Sequence, residues 1–365
     1  MKVRILGIRG VPAAHGGFET FAEFLCKHLV AQGWKPVVYC QEEGAGEWWR
    51  DEWEGVERIH VPVSKSGPLG TIIFDWRSMR DAAEAREPCL VLGYNTAIFL
   101  SLLRVRGVPN VINMDGIEWA RAKWGAVAKL WFWLNDWAGC WLGGHLVADH
   151  PQIKRHLSTR TSSKRITMIP YGAEPVLSAP AQPLDAFGLI SKQFLTVIAR
   201  AEPENSLLEI VQGFSRARRG IKLVVLGTYD PLHPYQRKVL EAASDEVVFT
   251  GALYDKPLVQ CLRWHSLAYV HGHQVGGTNP SLVEALGAGN AIFAHDNRFN
   301  HWVAGAGARY FRDADSFSAL LDAHLADEPT LNAMRAASYA RFEAEFTWPT
   351  VLRKYQELLQ NVAQR

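Results

Sequence analysis

Two glycines, an asparagine and a proline in the segment 271–284 have the spacing of a phosphate-binding loop that enters a helix. Gly276 and Gly277 allow the backbone to approach a ligand closely. Asn279 is a natural N-cap, and Pro280 suits the first position of a helix, so the helix start is well specified. Since unpaired N–H groups and the helix dipole favour anions at this end, we predict that the loop binds a diphosphate.

Two charged side chains complete this predicted nucleotide site. Glu284 lies one turn into the helix, where its carboxylate can accept hydrogen bonds from ribose hydroxyls. Arg200 follows the apolar run 194–198, and its guanidinium can clamp phosphate oxygens through two hydrogen bonds. Taken alone, each is also compatible with a solvent-facing surface residue. Beside a loop whose backbone runs from Gly276 through Thr278, both favour binding of a nucleotide.

A second glycine-rich turn follows the first apolar run of the chain. Gly16 and Gly17 precede a segment with helical apolar spacing, as in turns that let a ligand approach the carboxyl end of a first strand. The glycines are too widely separated for the G-x-G-x-x-G dinucleotide fingerprint. We predict that Gly16 and Gly17 contact the donor of a transferred group, and a tight structural turn is the alternative.

Carboxylates follow another strand-like run, at 108–114. Asp115 and Glu118 are expected at the carboxyl end of this strand, where parallel sheets present side chains to ligands. Either carboxylate could bind an acceptor hydroxyl or act as a base, so we predict catalytic roles for both, together with Arg200. The alternative for Asp115 is a capping residue beside a glycine turn.

Six tryptophans and three basic residues lie in the segment Trp119–Trp141. Trp133, Trp137 and Trp141 are four residues apart and therefore share one side of a helix. Tryptophan with lysine or arginine on an amphipathic helix favours contact with a bilayer interface and its anionic lipids. An aromatic domain core is an equal alternative.

Short apolar runs rich in valine, isoleucine and leucine alternate with segments of helical spacing, in two successive sets. This alternation is typical of α/β folds, in which helices cover both faces of a parallel sheet. The intervening segment 171–192 is rich in proline, alanine and serine and therefore favours a linker. We predict two Rossmann-like domains, residues 1–172 and 173–346, followed by a terminal helix over 347–365.

Composition argues against a nucleic-acid-binding, a disulfide-rich or a membrane-spanning protein. The 365 residues suit two globular domains, and a net charge of +2 gives no support for a nucleic-acid partner. Five widely spaced cysteines without a Cys-x-x-Cys pair argue against disulfides or zinc and favour a reducing compartment. Without a signal-peptide pattern or a transmembrane run, we expect a cytoplasmic chain, peripheral on the inner face of the cell membrane if the tryptophans meet a bilayer.

Several motifs together resemble the retaining glycosyltransferases of family four, which have the GT-B fold. Gly16-Gly-Phe-Glu19 is similar to the first donor-side loop of that family, and Ile169-Pro-Tyr-Gly172 resembles its Ile-Pro-Asn-Gly crossover. Trp348 and the helix after it resemble the terminal segment that returns to the N-terminal domain. The resemblance covers nearly the whole chain and implies an acceptor-binding and a donor-binding domain facing each other across a cleft.

Three further motifs, Gly-Ile-Arg-Gly-Val-Pro, Asp-Gly-Ile-Glu-Trp and Gly-Gly-Thr-Asn-Pro-Ser-Leu-Val-Glu-Ala-Leu, resemble a bacterial subgroup of L-rhamnosyltransferases. That subgroup implies dTDP-β-L-rhamnose as the donor and a lipid-linked or oligosaccharide acceptor in surface polysaccharide synthesis. By resemblance, Arg200 binds the donor diphosphate and Glu284 the ribose. The backbone of residues 276–279 binds the phosphates and the transferred sugar.

The chain departs from the wider family at two places. Gly276 stands eight positions before Glu284, where the family has a second glutamate, and Gln274 is our candidate for the missing sugar contact. Asn205 and Ser206 occupy the positions at which the family usually has a lysine. Neutralisation of the diphosphate would then depend more heavily on Arg200 and on helix dipoles.

The resemblance implies same-face attack without a protein nucleophile, with the leaving phosphate accepting the proton of the acceptor. The loops expected to bind the donor lack an Asp-x-Asp motif, so we predict catalysis without a metal ion or other cofactor. Since fold does not fix function, a sugar-nucleotide epimerase or phosphorylase on the same scaffold is one alternative. A non-catalytic, membrane-associated scaffold that binds a nucleotide sugar is another.

Overall fold

A computed structural model describes residues 1–14, 16–121 and 123–364, and these form two compact units. Unit 1 comprises Met1–Tyr171 and the chain from Trp348 onward, and unit 2 comprises Gly172–Thr347. Each unit is built on one sheet whose strands are mostly parallel. The α/β class predicted from the alternation of apolar runs is therefore confirmed.

The sheet of unit 1 has eight strands in the order β3-β4-β2-β1-β5-β6-β7-β8. All neighbouring strands are parallel except β3 and β4, which form an antiparallel hairpin at one edge. The elements of this unit up to residue 168 are β1 Lys2–Leu6, α1 Gly17–Ala31, β2 Lys35–Glu43, β3 Trp49–Trp53, β4 Val56–Val63, α2 Gly67–Ala85, β5 Cys89–Leu92, α3 Leu100–Val105, β6 Asn110–Asn113, α4 Ala126–Leu142, β7 His145–Ala148, α5 Pro151–Leu157 and β8 Ile166–Met168.

The sheet of unit 2 has six parallel strands in the order β11-β10-β9-β12-β13-β14. This is the doubly wound order of a dinucleotide-binding fold, with the first strand of the unit at the centre. Its elements are β9 Phe194–Ile198, α6 Leu207–Ser215, β10 Lys222–Leu226, α7 Pro234–Glu241, β11 Val247–Gly251, α8 Lys256–His265, β12 Ala268–His271, α9 Pro280–Gly287, β13 Ala291–His295, α10 Arg298–Ala304, β14 Arg309–Phe311, α11 Ala314–His324 and α12 Glu328–Glu345.

Strand order reverses between β1 and β5 in unit 1, and between β9 and β12 in unit 2. At such a switch point the two chain connections leave in opposite directions, which opens a crevice beyond the carboxyl ends of the two strands. Each unit therefore offers one ligand crevice by topology alone. In unit 2 the loops that border it are those after Ile198 and after His271.

The last helix, α13 (Trp348–Ala363), belongs to unit 1. The ring of Tyr355 lies 4.5 Å from the ring of Phe21 on α1. Its hydroxyl accepts a hydrogen bond of 2.7 Å from the Asn113 side chain at the end of β6. These contacts attach the end of the chain to the core of unit 1.

The proline-rich segment predicted as a linker is packed against unit 2 rather than free. Leu184 and Leu189 are buried there against Phe194 and Leu262. The prolines disfavour regular helix and sheet in this segment, as predicted. The segment nevertheless packs on unit 2, because burial of its two leucines is favourable. Among the described residues, no helix combines the length and apolar character that a membrane crossing requires.

Candidate functional site

The predicted phosphate loop lies beside the switch point of unit 2. Helix α9 begins at Pro280, and the Asn279 side chain caps it by accepting a hydrogen bond of 3.0 Å from the Ser281 backbone N–H. The N-cap predicted from the sequence is therefore present. The hydroxyl of Ser281 lies 3.4 Å from the carbonyl oxygen of Ile198, the last residue of β9. This contact ties the amino terminus of α9 to the strand that leads to Arg200.

Arg200 is exposed, two residues beyond β9 at the carboxyl edge of the sheet. Its carbonyl oxygen accepts a hydrogen bond of 2.8 Å from the Asn205 side chain, which is buried. The backbone that carries Arg200 is therefore fixed while its guanidinium faces solvent. A fixed backbone with an exposed cation suits capture of an anion at the switch point.

Asn205 and Ser206, which stand where the resembling family has a lysine, are structural in this chain. The Ser206 hydroxyl donates a hydrogen bond of 2.8 Å to the Gly272 carbonyl, directly after β12. The side-chain amide of Gln274 donates one of 2.9 Å to the Ser206 oxygen. These bonds join the two loops that border the crevice. They also engage the nitrogen of Gln274 and leave its carbonyl oxygen as the group that a sugar hydroxyl could meet.

Gly276 has a conformational reason to be glycine. Its φ of +124° lies in a region that residues with a side chain rarely adopt, although a Cβ there would meet no atom within 4 Å. A glutamate at this position would therefore strain the backbone rather than clash. The backbone conformation of the loop therefore gives a reason for glycine at this position. Thr278 is buried two residues further on.

Glu284 is held by an arginine, Arg263, that no motif in the sequence indicated. Its carboxylate forms an ion pair with Arg263 of α8. The Arg263 side chain is only 8% exposed, whereas that of Glu284 is 38% exposed. One carboxylate oxygen therefore faces a buried cation, and the other remains available to a ligand. The sequence signal was a charged residue directly after the buried pair Cys261 and Leu262.

The two carboxylates predicted in unit 1 have different environments. Burial and the neighbouring Glu118 raise the pKa of Asp115, whose backbone has a φ of +51°. Burial also acts to raise the pKa of Glu118, but hydrogen bonds from Arg121 and Trp124 outweigh it and lower this pKa. Because the Glu118 carboxylate is already engaged by an arginine and a tryptophan, Asp115 is the better placed of the two to accept a hydrogen bond from an acceptor hydroxyl.

Gly16 and Gly17 lie at the amino terminus of α1, as predicted, with Gly16 in the N-cap position. The Glu19 carboxylate occupies the space beside them, since a Cβ on Gly16 would lie 3.3 Å from its oxygen. Another Glu19 oxygen lies 3.4 Å from the Arg9 backbone nitrogen. A carboxylate here opposes a phosphate at the same place. A donor contact at these glycines, which remains a prediction, would require Glu19 to move.

A polar pocket of about 350 Å³ lies at the carboxyl ends of β1, β2 and β4 in unit 1. Its lining includes two cations, Arg9 and Lys65, against one carboxylate, that of Glu43, and the remaining polar groups are amides and hydroxyls from residues such as Gln41, Ser64 and Thr71. This lining suits a hydroxylated ligand that carries an anionic group. No sequence pattern indicates this pocket, because its residues come together only when three strands are aligned.

Within the described ranges, no three histidine, cysteine, aspartate or glutamate side chains are grouped in a way that could hold a metal ion. The sequence Asp313-Ala-Asp315 has the spacing of a metal motif, but its aspartates are engaged elsewhere. Asp313 caps α11 through a capping box with Ser316, and Asp315 forms an ion pair with Arg216. Metal-independent catalysis remains a prediction for experiment.

Comparisons with known proteins address the fold. Residues 1–174 match a family described as "Domain of unknown function (DUF1972)". A search of curated protein sequences found no match. Many solved structures are similar over nearly the whole chain.

Sucrose-phosphate synthase from Thermosynechococcus elongatus has a TM-score of 0.80 at 15% identity, covering 99% of this chain and 98% of the synthase. HepE from Anabaena in complex with UDP has a TM-score of 0.75 at 13% identity, covering 99% and 100%. A UDP-forming α,α-trehalose-phosphate synthase from Burkholderia xenovorans, in complex with glucose-6-phosphate, has a TM-score of 0.74 at 13% identity, covering 98% and 99%. These similarities show that the chain has the GT-B fold expected from the resemblance.

Proposed function

We propose that the chain transfers a hexosyl group from a nucleoside-diphosphate sugar to a hydroxyl acceptor, with retention at the anomeric carbon. The observation that carries this proposal is the convergence at the switch point of unit 2. Three groups border one edge of its sheet: the capped amino terminus of α9, the exposed Arg200, and the Glu284 carboxylate that is paired with Arg263. The presence of UDP in the HepE structure and the name UDP-forming of the trehalose-phosphate synthase support a nucleoside diphosphate as the product.

Each group has a defined part in donor binding. The backbone of residues 276–279 and the guanidinium of Arg200 bind the diphosphate, because both present N–H donors to phosphate oxygens. Glu284 accepts hydrogen bonds from the ribose through the oxygen that Arg263 leaves free. The carbonyl oxygen of Gln274 meets a hydroxyl of the transferred sugar.

The chemical step breaks the bond between the anomeric carbon and the phosphate oxygen, and the electron pair leaves with the diphosphate. The acceptor oxygen forms the new bond on the same face of the sugar ring, and its proton passes to the departing phosphate oxygen. Charge grows on the diphosphate as the sugar becomes oxocarbenium-like. The Arg200 guanidinium and the α9 amino terminus stabilise this growing charge, since both are fixed before the reaction. The step requires no metal ion.

Unit 1 is the proposed acceptor-binding unit. The polar pocket at Arg9 and Lys65 suits an acceptor that carries phosphate, as a lipid-linked sugar does. Asp115 accepts a hydrogen bond from the attacking hydroxyl. The motifs shared with L-rhamnosyltransferases support dTDP-β-L-rhamnose as the donor and surface polysaccharide as the eventual product.

A donor panel tests the reaction class. The purified chain is incubated with dTDP-, UDP- and GDP-sugars and a bacterial membrane extract, and the masses of glycolipid products are measured. We expect a product heavier by one deoxyhexosyl unit with dTDP-β-L-rhamnose. Conversion of the donor without an acceptor would identify an epimerase, and donor binding without turnover of any sugar would identify a non-catalytic scaffold.

Calorimetric titration with dTDP tests the site itself. Arg200→Ala and Glu284→Ala should each weaken binding by roughly 10- to 150-fold, the range for losing a hydrogen bond to a charged group. Arg218→Ala is the matched control, because Arg218 is also exposed but precedes β10 at the opposite edge of the sheet. Equal affinity of all three variants would refute the assignment of the donor site.

A further inference from the structure

Helix α4 buries two of its polar residues, Asn135 and Asp136, and exposes many of its apolar residues. Asn135 and Asp136 are 1% and 2% exposed. This is the reverse of the usual amphipathic helix, whose apolar stripe faces the core. The exposed apolar side chains, which we call the α4 outer face, are Val127, Leu130, Trp133, Leu134 and Trp141.

Asp136 holds the helix in this orientation. Its carboxylate accepts hydrogen bonds of 2.8 Å from the Trp119 indole and 3.0 Å from His156, and it forms an ion pair with Arg160. The Arg160 guanidinium also lies 4.7 Å from the centre of the Trp137 ring. Rotation of the helix would carry the Asp136 carboxylate away and leave the Arg160 guanidinium, whose side chain is 7% exposed, buried without its carboxylate, which is strongly unfavourable.

Asn135 provides a second attachment on the same buried side. Its side-chain oxygen accepts a hydrogen bond of 3.0 Å from the Ile98 backbone N–H. Its nitrogen donates one of 3.0 Å to the Trp131 carbonyl, and the Trp131 indole donates one of 2.8 Å to the Asn95 carbonyl. The side chains of Asn135 and Asp136 are therefore bonded inside unit 1, and the outward position of the apolar residues is fixed.

Positive charge flanks the α4 outer face. Lys129 borders a groove together with Leu130 and Trp133. At the other end of the helix, Arg104 of α3 donates a hydrogen bond of 2.9 Å to the Trp141 carbonyl. Asp136 is the only acidic residue of α4, and it is turned inward. The exposed face thus combines tryptophan and leucine with cations and contributes no carboxylate.

We infer that the α4 outer face inserts into the boundary between headgroups and acyl chains of a bilayer that contains anionic lipids. Tryptophan prefers this boundary, because its ring is apolar and its N–H can meet water or headgroups. Lysine and arginine at its margin meet the lipid phosphates. A second copy of the chain fits this face less well, because a symmetric dimer would bring the cations of both copies, Lys129 and Arg104, into one contact to which α4 contributes no exposed carboxylate. The inference does not depend on the proposed transferase activity.

Cosedimentation of the full chain with lipid vesicles tests the inference. We expect binding to vesicles of phosphatidylglycerol and phosphatidylcholine, and weaker binding to phosphatidylcholine alone. The double variant Trp133→Ser/Leu134→Ser should bind at least roughly tenfold more weakly, because it removes the apolar area of two side chains. Its matched control is Trp48→Ser/Leu232→Ser. Trp48 is similarly exposed and lies beside β3, at the far edge of the same sheet, and Leu232 is exposed in unit 2.

Two further measurements keep the inference open to refutation. Lys129→Gln/Arg104→Gln should remove most of the preference for phosphatidylglycerol, and thermal melting should show that every variant is folded. Folded double and control variants that bind vesicles equally well would overturn the inference. A wild-type dimer that Trp133→Ser/Leu134→Ser dissociates, without vesicle binding by the wild type, would assign the face to a second copy instead.

Discussion

Asp75 makes the stability of unit 1 depend on pH in the neutral range. Its carboxyl group is buried in α2, and Thr96 donates a hydrogen bond of 2.8 Å to it. Burial raises the pKa of Asp75 to about 7, against 3.8 for an ordinary aspartate, although the hydrogen bond from Thr96 opposes this shift. The perturbation we choose is Asp75→Asn, which keeps an oxygen for Thr96 and cannot ionise.

The sign and size of the effect follow from proton linkage. Between pH 3.8 and about 7 the folded protein binds more protons than the unfolded chain. The wild type therefore loses stability as the pH rises through this window, and the loss is complete above the folded pKa. A shift of about three pKa units at about 1.4 kcal/mol each corresponds to a loss of roughly 4 kcal/mol. Asp75→Asn cannot ionise at position 75, so its free energy of unfolding lacks this pH-dependent contribution.

Urea unfolding at about pH 5 and about pH 8.5 measures the difference. We expect the free energy of unfolding of the wild type to fall relative to Asp75→Asn between these conditions. Asp185→Asn is the control, because Asp185 is exposed and its substitution should leave the wild-type pH dependence intact. Parallel stability curves for the wild type and Asp75→Asn would refute the reasoning.

Three other outcomes are expected. Gly272→Ala should destabilise unit 2 in thermal melts, because its Cβ would lie 2.0 Å from the Asn205 carbonyl oxygen. Gly46→Ala, whose Cβ would make an ordinary contact of 3.8 Å with Pro62, should leave the melting temperature unchanged. Arg263→Met should weaken dTDP binding about tenfold in calorimetry by freeing Glu284 from its ion pair, and unchanged affinity would contradict the positioning role. EDTA should leave transferase activity intact, and loss of activity restored by Mg²⁺ would refute metal-independent catalysis.

Much of the fold of unit 2 was predictable from the sequence. The apolar runs 194–198, 268–271 and 291–295 coincide with β9, β12 and β13, because central parallel strands are buried on both faces and bounded by turns. The β3–β4 hairpin was missed, because exposed charged residues interrupt the apolar pattern of β3. Such an edge strand depends on its partner rather than on its own burial.

The candidate site was predictable only where local chemistry determines structure. The capped start of α9 follows from Asn279 and Pro280 alone. The ion pair between Arg263 and Glu284 depends on how α8 packs beside α9. The apolar periodicity of neither helix predicts that packing. In α4, spacing indicated which residues share a side but not which side faces inward. The buried network of Asp136 decides that, and it involves residues from two other segments.

The position of α13 sets the order in which the two units can mature on the ribosome. Unit 2 is a continuous stretch of chain, so it is complete once Thr347 has been added. Synthesis of unit 1 begins before that of unit 2, but unit 1 lacks Tyr355, a packing partner of Phe21, until α13 has followed unit 2 out of the ribosome. During translation, the apolar surface of α1 that α13 later covers is therefore exposed for a time, and chaperones bind surfaces of this kind. Unit 1 is thus begun before unit 2 and completed after it.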